Sequence, residues 1–266
     1  MLFLRSLLFN TAFYLNMIVH MIVLLPYFLL PRKMAWTIIK NWSRSSVWLH
    51  RVLAGTKFEI TGVENIPPGP CIIAPKHQSF WDTFAFLPHI EDPLYILKRE
   101  LMLIPLFGWY LKKMGMIAID RGSGSKALRQ AVTQGREKMK EGRQLIIYPE
   151  GTRRPPGAEP VYKYGIIELY SQLNVPVVPI AHVAGLYWPR RKFMRFPGML
   201  KARVLPPIPP GLSKEEFRER LIRDTETACD ELLVEAATGA NPPPLPETAR
   251  ARLAELRSGR SRRSVR

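Results

Sequence analysis

The sequence predicts an α/β domain whose mixed, largely parallel sheet is flanked by helices and preceded by an N-terminal membrane-associated helical segment. Three observations carry this. Short apolar runs alternate with amphipathic stretches through the middle of the chain, the first thirty residues are overwhelmingly apolar, and the charge is strongly basic. With 266 residues, 47% of them hydrophobic, the chain is long enough for one well-packed domain with appendages. The expected division is 1–57 membrane-associated helices, 58–240 the main domain, and 241–266 a mobile Pro/Arg-rich tail.

From Leu2 to Leu30 the run is long enough to cross a bilayer, where roughly 20 apolar residues suffice. It exceeds the usual core of a signal peptide, and no A-x-A site follows it. Asn10, Asn16, His20 and Pro26 interrupt it, so a helix dipping into one leaflet and a hairpin with the next segment both fit. From Met34 to Leu53 tryptophans alternate with Lys40, Arg44 and Arg51, which reads as an interfacial helix or as a helix covering the core.

The formal charge is +17, from 39 Lys and Arg against 22 Asp and Glu. Such a chain seeks polyanions. No acidic residue precedes Glu59, while seven cations from Arg5 to Lys57 lie among the apolar runs, which favours anionic lipid. Nucleic acid is disfavoured, because the cations form no recognised reader motif. By the positive-inside tendency, the main domain should face the cytoplasm. Only Cys71 and Cys229 are present, so neither a disulfide scaffold nor a CxxC motif can be built, and no metal cluster is visible.

In the main domain, CIIAP after Pro67, Pro68, Gly69 and Pro70 suits a buried strand, and KHQSFWDTFAFLP reads as a helix. Further strands are expected at 94–97, 116–119, 144–148, 177–182 and 202–205. Helices are expected at 103–114, 125–141, 162–173 and 213–237. NPPPLPE then breaks regular structure, and the Arg-rich end is too polar for a core.

His77 and Asp82 are the first candidates for chemistry. Five helical residues advance about 500°, so the pair diverges within a continuous helix. With Ser79 as N-cap, His77 falls in the preceding turn and Asp82 takes the place of a capping-box acid. The carboxylate then holds the imidazole in a useful tautomer, and neutral imidazole is a suitable base for an alcohol. A plain helix cap beside a turn histidine fits the same spacing. In YPEGTRR, Gly151 permits close backbone approach, and Arg153 and Arg154 can grip a phosphate by forked hydrogen bonds. A solvated surface turn also fits. Arg121 in IDRGSGSK is another cation at a strand end, in a stretch that lacks the GK[ST] of a phosphate loop.

Taken together, these blocks resemble the bacterial-type 1-acyl-sn-glycerol-3-phosphate acyltransferase (lysophosphatidic acid acyltransferase) family. KHQSFWD corresponds to its H-x4-D block, KRELMLIPLFG with IDR to its second, YPEGTRR to its E-G-T-R block and VPVVPIA to its last. The resemblance implies His77 as general base with Asp82 as its partner. It assigns Glu150, Gly151, Thr152 and Arg153 to acceptor binding, with Arg121 and Lys98 as further contacts. Lys76 stands where many members have Asn, and Tyr164 where many have Pro.

The implied activity is transfer of a fatty acyl chain from acyl-CoA or acyl carrier protein to lysophosphatidic acid, with no other cofactor, at a bacterial inner membrane. Another lyso-lipid, such as lyso-ornithine lipid or a lysophospholipid, is the alternative acceptor. A non-catalytic membrane-binding protein is the alternative of a different class. There is no G-x-S-x-G elbow, so direct transfer without an acyl-enzyme is expected.

Overall fold

The computed structural model describes residues 1–259. Seven strands form one sheet: β1 (Thr56–Thr61), β2 (Cys71–Pro75), β3 (Pro93–Lys98), β4 (Ile117–Ile119), β5 (Gln144–Ile146), β6 (Val177–His182) and β7 (Gly198–Val204). Their order is β1-β7-β6-β2-β5-β3-β4, and every pairing is parallel except β6 with β7. The expected fold class therefore holds.

The sheet is covered on both faces, which is why its central strands are continuously apolar. All five residues of β2 are buried. Its side chains alternate, with Cys71 and Ile73 in one core and Ile72 and Ala74 in the other. Beyond the short α3 (Phe107–Lys113), the second core is closed by α4 (Gly124–Lys140) and α5 (Tyr164–Leu173), through Ala131, Met139, Ile166 and Leu169. Helix α6 (Lys214–Thr238) opens on a capping box: Ser213 Oγ accepts from the Glu216 N–H at 3.2 Å, and Glu216 Oε2 accepts from the Ser213 N–H at 2.9 Å.

The first core extends into both appendages. Phe9 and Phe13 of α1 (Leu2–Val23) are fully buried there, packed edge-on against Trp188. Each such burial contributes about 2 kcal/mol. The polar interruptions are accounted for: Asn10 Nδ2 donates to the Phe193 carbonyl, and Asn16 Nδ2 donates to Ser45 and Ser46 on α2 (Arg32–Leu49). The two helices thus pair as a hairpin. Trp36 of α2 is buried and donates its indole N–H to Asp92 at 3.0 Å, whereas Trp48 is exposed. On the Trp36 side, α2 covers the core instead of presenting tryptophan to headgroups.

Three expectations are corrected. KHQSFWDTFAFLP forms no α-helix, only 3-10 turns at Trp81–Thr83 and Leu87–His89. The expected division between 57 and 58 falls inside a strand that was not expected, β1 (Thr56–Thr61). The 241–266 segment contains α7 (Glu247–Arg257), where Ala249 and Leu253 are buried and Arg252 grips Asp230 of α6 with two nitrogens, at 3.1 and 2.6 Å. One apolar stripe and one buried ion pair suffice to dock a helix whose composition reads as solvated. Residues 260–266 lie outside the described part.

Candidate active site

The C-terminal ends of the parallel strands form one edge of the sheet, the usual place for a ligand in an open α/β sheet. His77 follows β2, Lys98 ends β3, Arg121 follows β4 and YPEGTRR follows β5. The topology thus brings most of the candidate residues to one edge. The side chain of Arg121 lies outside the described part. Lys98 is half exposed and paired at 2.7 Å with the equally exposed Glu100, so nothing holds it toward His77.

His77 Nδ1 donates to Asp82 Oδ1 at 2.8 Å. This fixes the tautomer and leaves Nε2 as the basic nitrogen. Asp82 Oδ2 accepts from the N–H groups of Gln78 at 2.8 Å and Ser79 at 2.7 Å, so the aspartate folds the intervening turn around itself. Ser79 Oγ accepts from the Trp81 N–H at 3.1 Å, starting a 3-10 turn rather than a helix. The reach-back expected of the acid is present, and the helix it was expected to cap is not. Asp82 is buried while His77 keeps a partly open face.

A second histidine, not anticipated from the sequence, backs the pair. His182, the last residue of β6, is fully buried and donates Nε2–H to the Lys76 carbonyl at 2.8 Å. Its Nδ1 accepts from the Ala184 N–H at 3.2 Å, and burial lowers its pKa, so it stays neutral. The only sequence signal was a polar residue closing an apolar strand.

The Tyr148 ring stacks on the imidazole of His77 at 4.0 Å, and its hydroxyl donates to the Asp82 carbonyl at 3.1 Å. Burial raises the Tyr148 pKa well above the ordinary phenol value, so it remains a donor. The Arg154 N–H donates to the His77 carbonyl at 2.8 Å. Gly151 has φ +65°, which a side chain would strain. Thr152 is exposed, Arg153 is half-buried with its guanidinium 5.8 Å from the Phe80 ring, and Arg190 donates to the Arg153 carbonyl.

The resemblance assigns Glu150 to acceptor binding. Glu150 is buried, and its carboxylate turns inward to Lys76 Nζ at 2.7 Å and the His77 N–H at 3.4 Å. Gly185 seals the junction behind the two loops: a Cβ there would meet Pro156 at 2.8 Å and Gln78 at 3.2 Å.

Neither cysteine is poised as a nucleophile: Cys71 is buried, and burial pushes its thiol pKa up to about 12. Among the described residues, no cluster of three or more His, Cys, Asp or Glu side chains could hold a metal ion.

The fold and the site define an α/β protein with a histidine–carboxylate pair, suited to taking a proton from a bound alcohol, set beside a basic loop at the C-terminal sheet edge. Residues 57–183 match the acyltransferase family model and form a domain of this family. It is 45% identical over 170 residues to the 1-acyl-sn-glycerol-3-phosphate acyltransferase of Pseudomonas aeruginosa, covering 64% of this chain and 66% of that protein. It is 31% identical over 151 residues to the chloroplastic 1-acyl-sn-glycerol-3-phosphate acyltransferase BAT2 of Brassica napus, covering 56% of this chain and 42% of that one. The matched stretch thus spans just under two thirds of the first relative and under half of the second. The crystal structure of the 1-acyl-sn-glycerophosphate (LPA) acyltransferase PlsC from Thermotoga maritima superposes with a TM-score of 0.72 at 26% identity, covering 87% of this chain and 99% of that one.

Proposed function

We propose that this protein transfers a fatty acyl chain from a thioester, carried on CoA or acyl carrier protein, to the sn-2 hydroxyl of lysophosphatidic acid, giving phosphatidic acid for phospholipid biosynthesis. The observation that carries the reading is the Nδ1-bonded His77, whose carbonyl is tied to the Arg154 N–H of the basic loop at 2.8 Å. On this reading the base and the phosphate-binding loop are joined by a backbone hydrogen bond, which supports their acting on one acceptor.

His77 Nε2 takes the hydroxyl proton as the alkoxide oxygen attacks the thioester carbonyl, and Asp82 stabilises the imidazolium. Collapse of the tetrahedral intermediate breaks the C–S bond, and the imidazolium returns its proton to the leaving thiolate. No group beyond the two substrates enters the balance. Arg153 holds the acceptor phosphate by charge-assisted hydrogen bonds.

Helix α1 supports a membrane setting. It is the one described helix long and apolar enough to cross a bilayer, and Phe3, Leu7, Tyr14, Ile18 and Ile22 are exposed on it. Its opposite side is packed on the domain through Phe9 and Phe13, which favours lying in one leaflet over crossing. The basic residues after it favour the cytoplasmic leaflet.

The test is a panel of lysophosphatidic acid, lyso-ornithine lipid and a zwitterionic lysophospholipid, offered with acyl-CoA and with acyl carrier protein and read by lipid mass spectrometry. Phosphatidic acid as the main product supports the reading. Acylation of another acceptor alone replaces it, and no thiol release with any acceptor removes it.

A further inference from the structure

Lys76 precedes the base, and its ammonium is almost wholly enclosed by the protein. Nζ lies 2.7 Å from Glu150 Oε1 and 2.7 Å from Glu226 Oε1 of α6. The Tyr162 hydroxyl donates to Glu226 Oε1 at 2.9 Å, and Arg154 Nε lies 4.0 Å from Glu150. Burial by itself would lower the Lys76 pKa, but Glu226 and Glu150 hold it above the ordinary lysine value. Two segments, 74 and 150 residues beyond Lys76 in the sequence, thus converge on its charge.

The connection to the base is direct. Glu150 Oε2 accepts from the His77 N–H, while His182 holds the Lys76 carbonyl from the other side. Side chain, carbonyl and following N–H of this stretch are therefore all held. A buried, paired carboxylate of this kind has no lone pair directed to solvent that an acceptor needs, and anionic Glu150 would repel a phosphate.

We propose that Glu226 and Lys76 are positioning residues for His77, acting through Glu150, and that Glu150 is itself a positioning residue rather than an acceptor contact. Helix α6 lies outside the residues matched by the family model, and nothing in the motif blocks points to Glu226. The proposal rests on His77 being the base. Since a misplacement of about 1 Å can cost about a hundredfold in rate, an element remote from the chemistry can set kcat.

The experiment compares wild type, Glu226→Gln, Lys76→Asn and the double variant Lys76→Asn/Glu226→Gln in the full chain. Acyl transfer to lysophosphatidic acid gives kcat and acceptor KM, and hydrogen exchange by mass spectrometry gives protection of the 76–82 stretch against helix α5. Glu226→Gln should lower kcat about tenfold with acceptor KM within about twofold, and should speed exchange at 76–82 alone. Lys76→Asn leaves two carboxylates facing each other and should be worse, while the double variant, lacking one of them, should recover part of the loss. Should Lys76→Asn not fold, recovery of a folded double variant is the same rescue.

A rise in acceptor KM at unchanged kcat, no kinetic change, or equal loosening of 76–82 and α5 would overturn the proposal. If wild type does not use lysophosphatidic acid, the functional reading fails by itself. The exchange comparison then decides alone: selective loosening of 76–82 supports positioning, and unchanged or uniform protection rejects it.

Discussion

The N–H of Arg154 donates to the carbonyl oxygen of His77 at 2.8 Å, so the basic loop and the base share one backbone hydrogen bond. On the proposed function, this bond links acceptor binding to proton removal, although the two segments are remote in sequence. Substitutions in the two loops should nevertheless separate kinetically, because their side chains do different work.

Arg153→Ala removes a charge-assisted contact worth about 1.5–3 kcal/mol. Acceptor KM should rise about tenfold or more with kcat little changed. Steady-state kinetics at varied lysophosphatidic acid checks this, and unchanged KM with unchanged acceptor selectivity would reject the role.

Asp82→Asn keeps the volume but loses the carboxylate that orders His77, Gln78 and Ser79. We expect kcat to fall by at least about a hundredfold, since the imidazole loses its fixed tautomer and its counter-charge. A loss confined to KM would contradict this.

The fold class was legible because the sheet's strands are short apolar runs whose partners need no special chemistry. The turn around His77 was misread because KHQSFWDTFAFLP is rich in aromatic residues, and Trp81, Phe84 and Phe86 all bury in one core. What prevents a helix is tertiary: Asp82 captures two backbone N–H groups of the turn, and Leu87–His89 turns again around Pro88. β1 was missed because its partner among the described residues is β7, some 140 residues later. The roles of His182 and Glu150 depend on contacts with Lys76 that no spacing encodes.

The C-terminal helix should matter for acceptor binding. Thr248 donates its hydroxyl to the Pro156 carbonyl at 2.7 Å, and the buried Arg252–Asp230 pair fastens α7 to α6. Arg252→Met should destabilise the protein by about 3 kcal/mol, because it removes the two charge-assisted hydrogen bonds that Arg252 gives the buried Asp230. A thermal melt measures the loss, and acceptor KM should rise as the loop after Arg154 loosens.

His50 gives the fold an acid-sensitive core. It is fully buried against Phe9, Phe58 and Trp188, and burial, with Arg195 adding, lowers its pKa to about 3. The unfolded chain binds a proton near pH 6.5 that the folded chain refuses. Its stabilisation is thus full above pH 6.5 and declines as pH falls toward 3, by about 1.4 kcal/mol per pH unit. His182 acts in the same direction. Melting temperature against pH should flatten in His50→Phe, and an unchanged slope would contradict the assignment.

The central claim is that His77 is the base, and turnover of purified His77→Ala with lysophosphatidic acid and an acyl thioester tests it most directly. The variant should still bind membranes and melt near wild type, yet lose at least about a hundredfold in rate. Near-normal turnover in that folded variant would contradict the account.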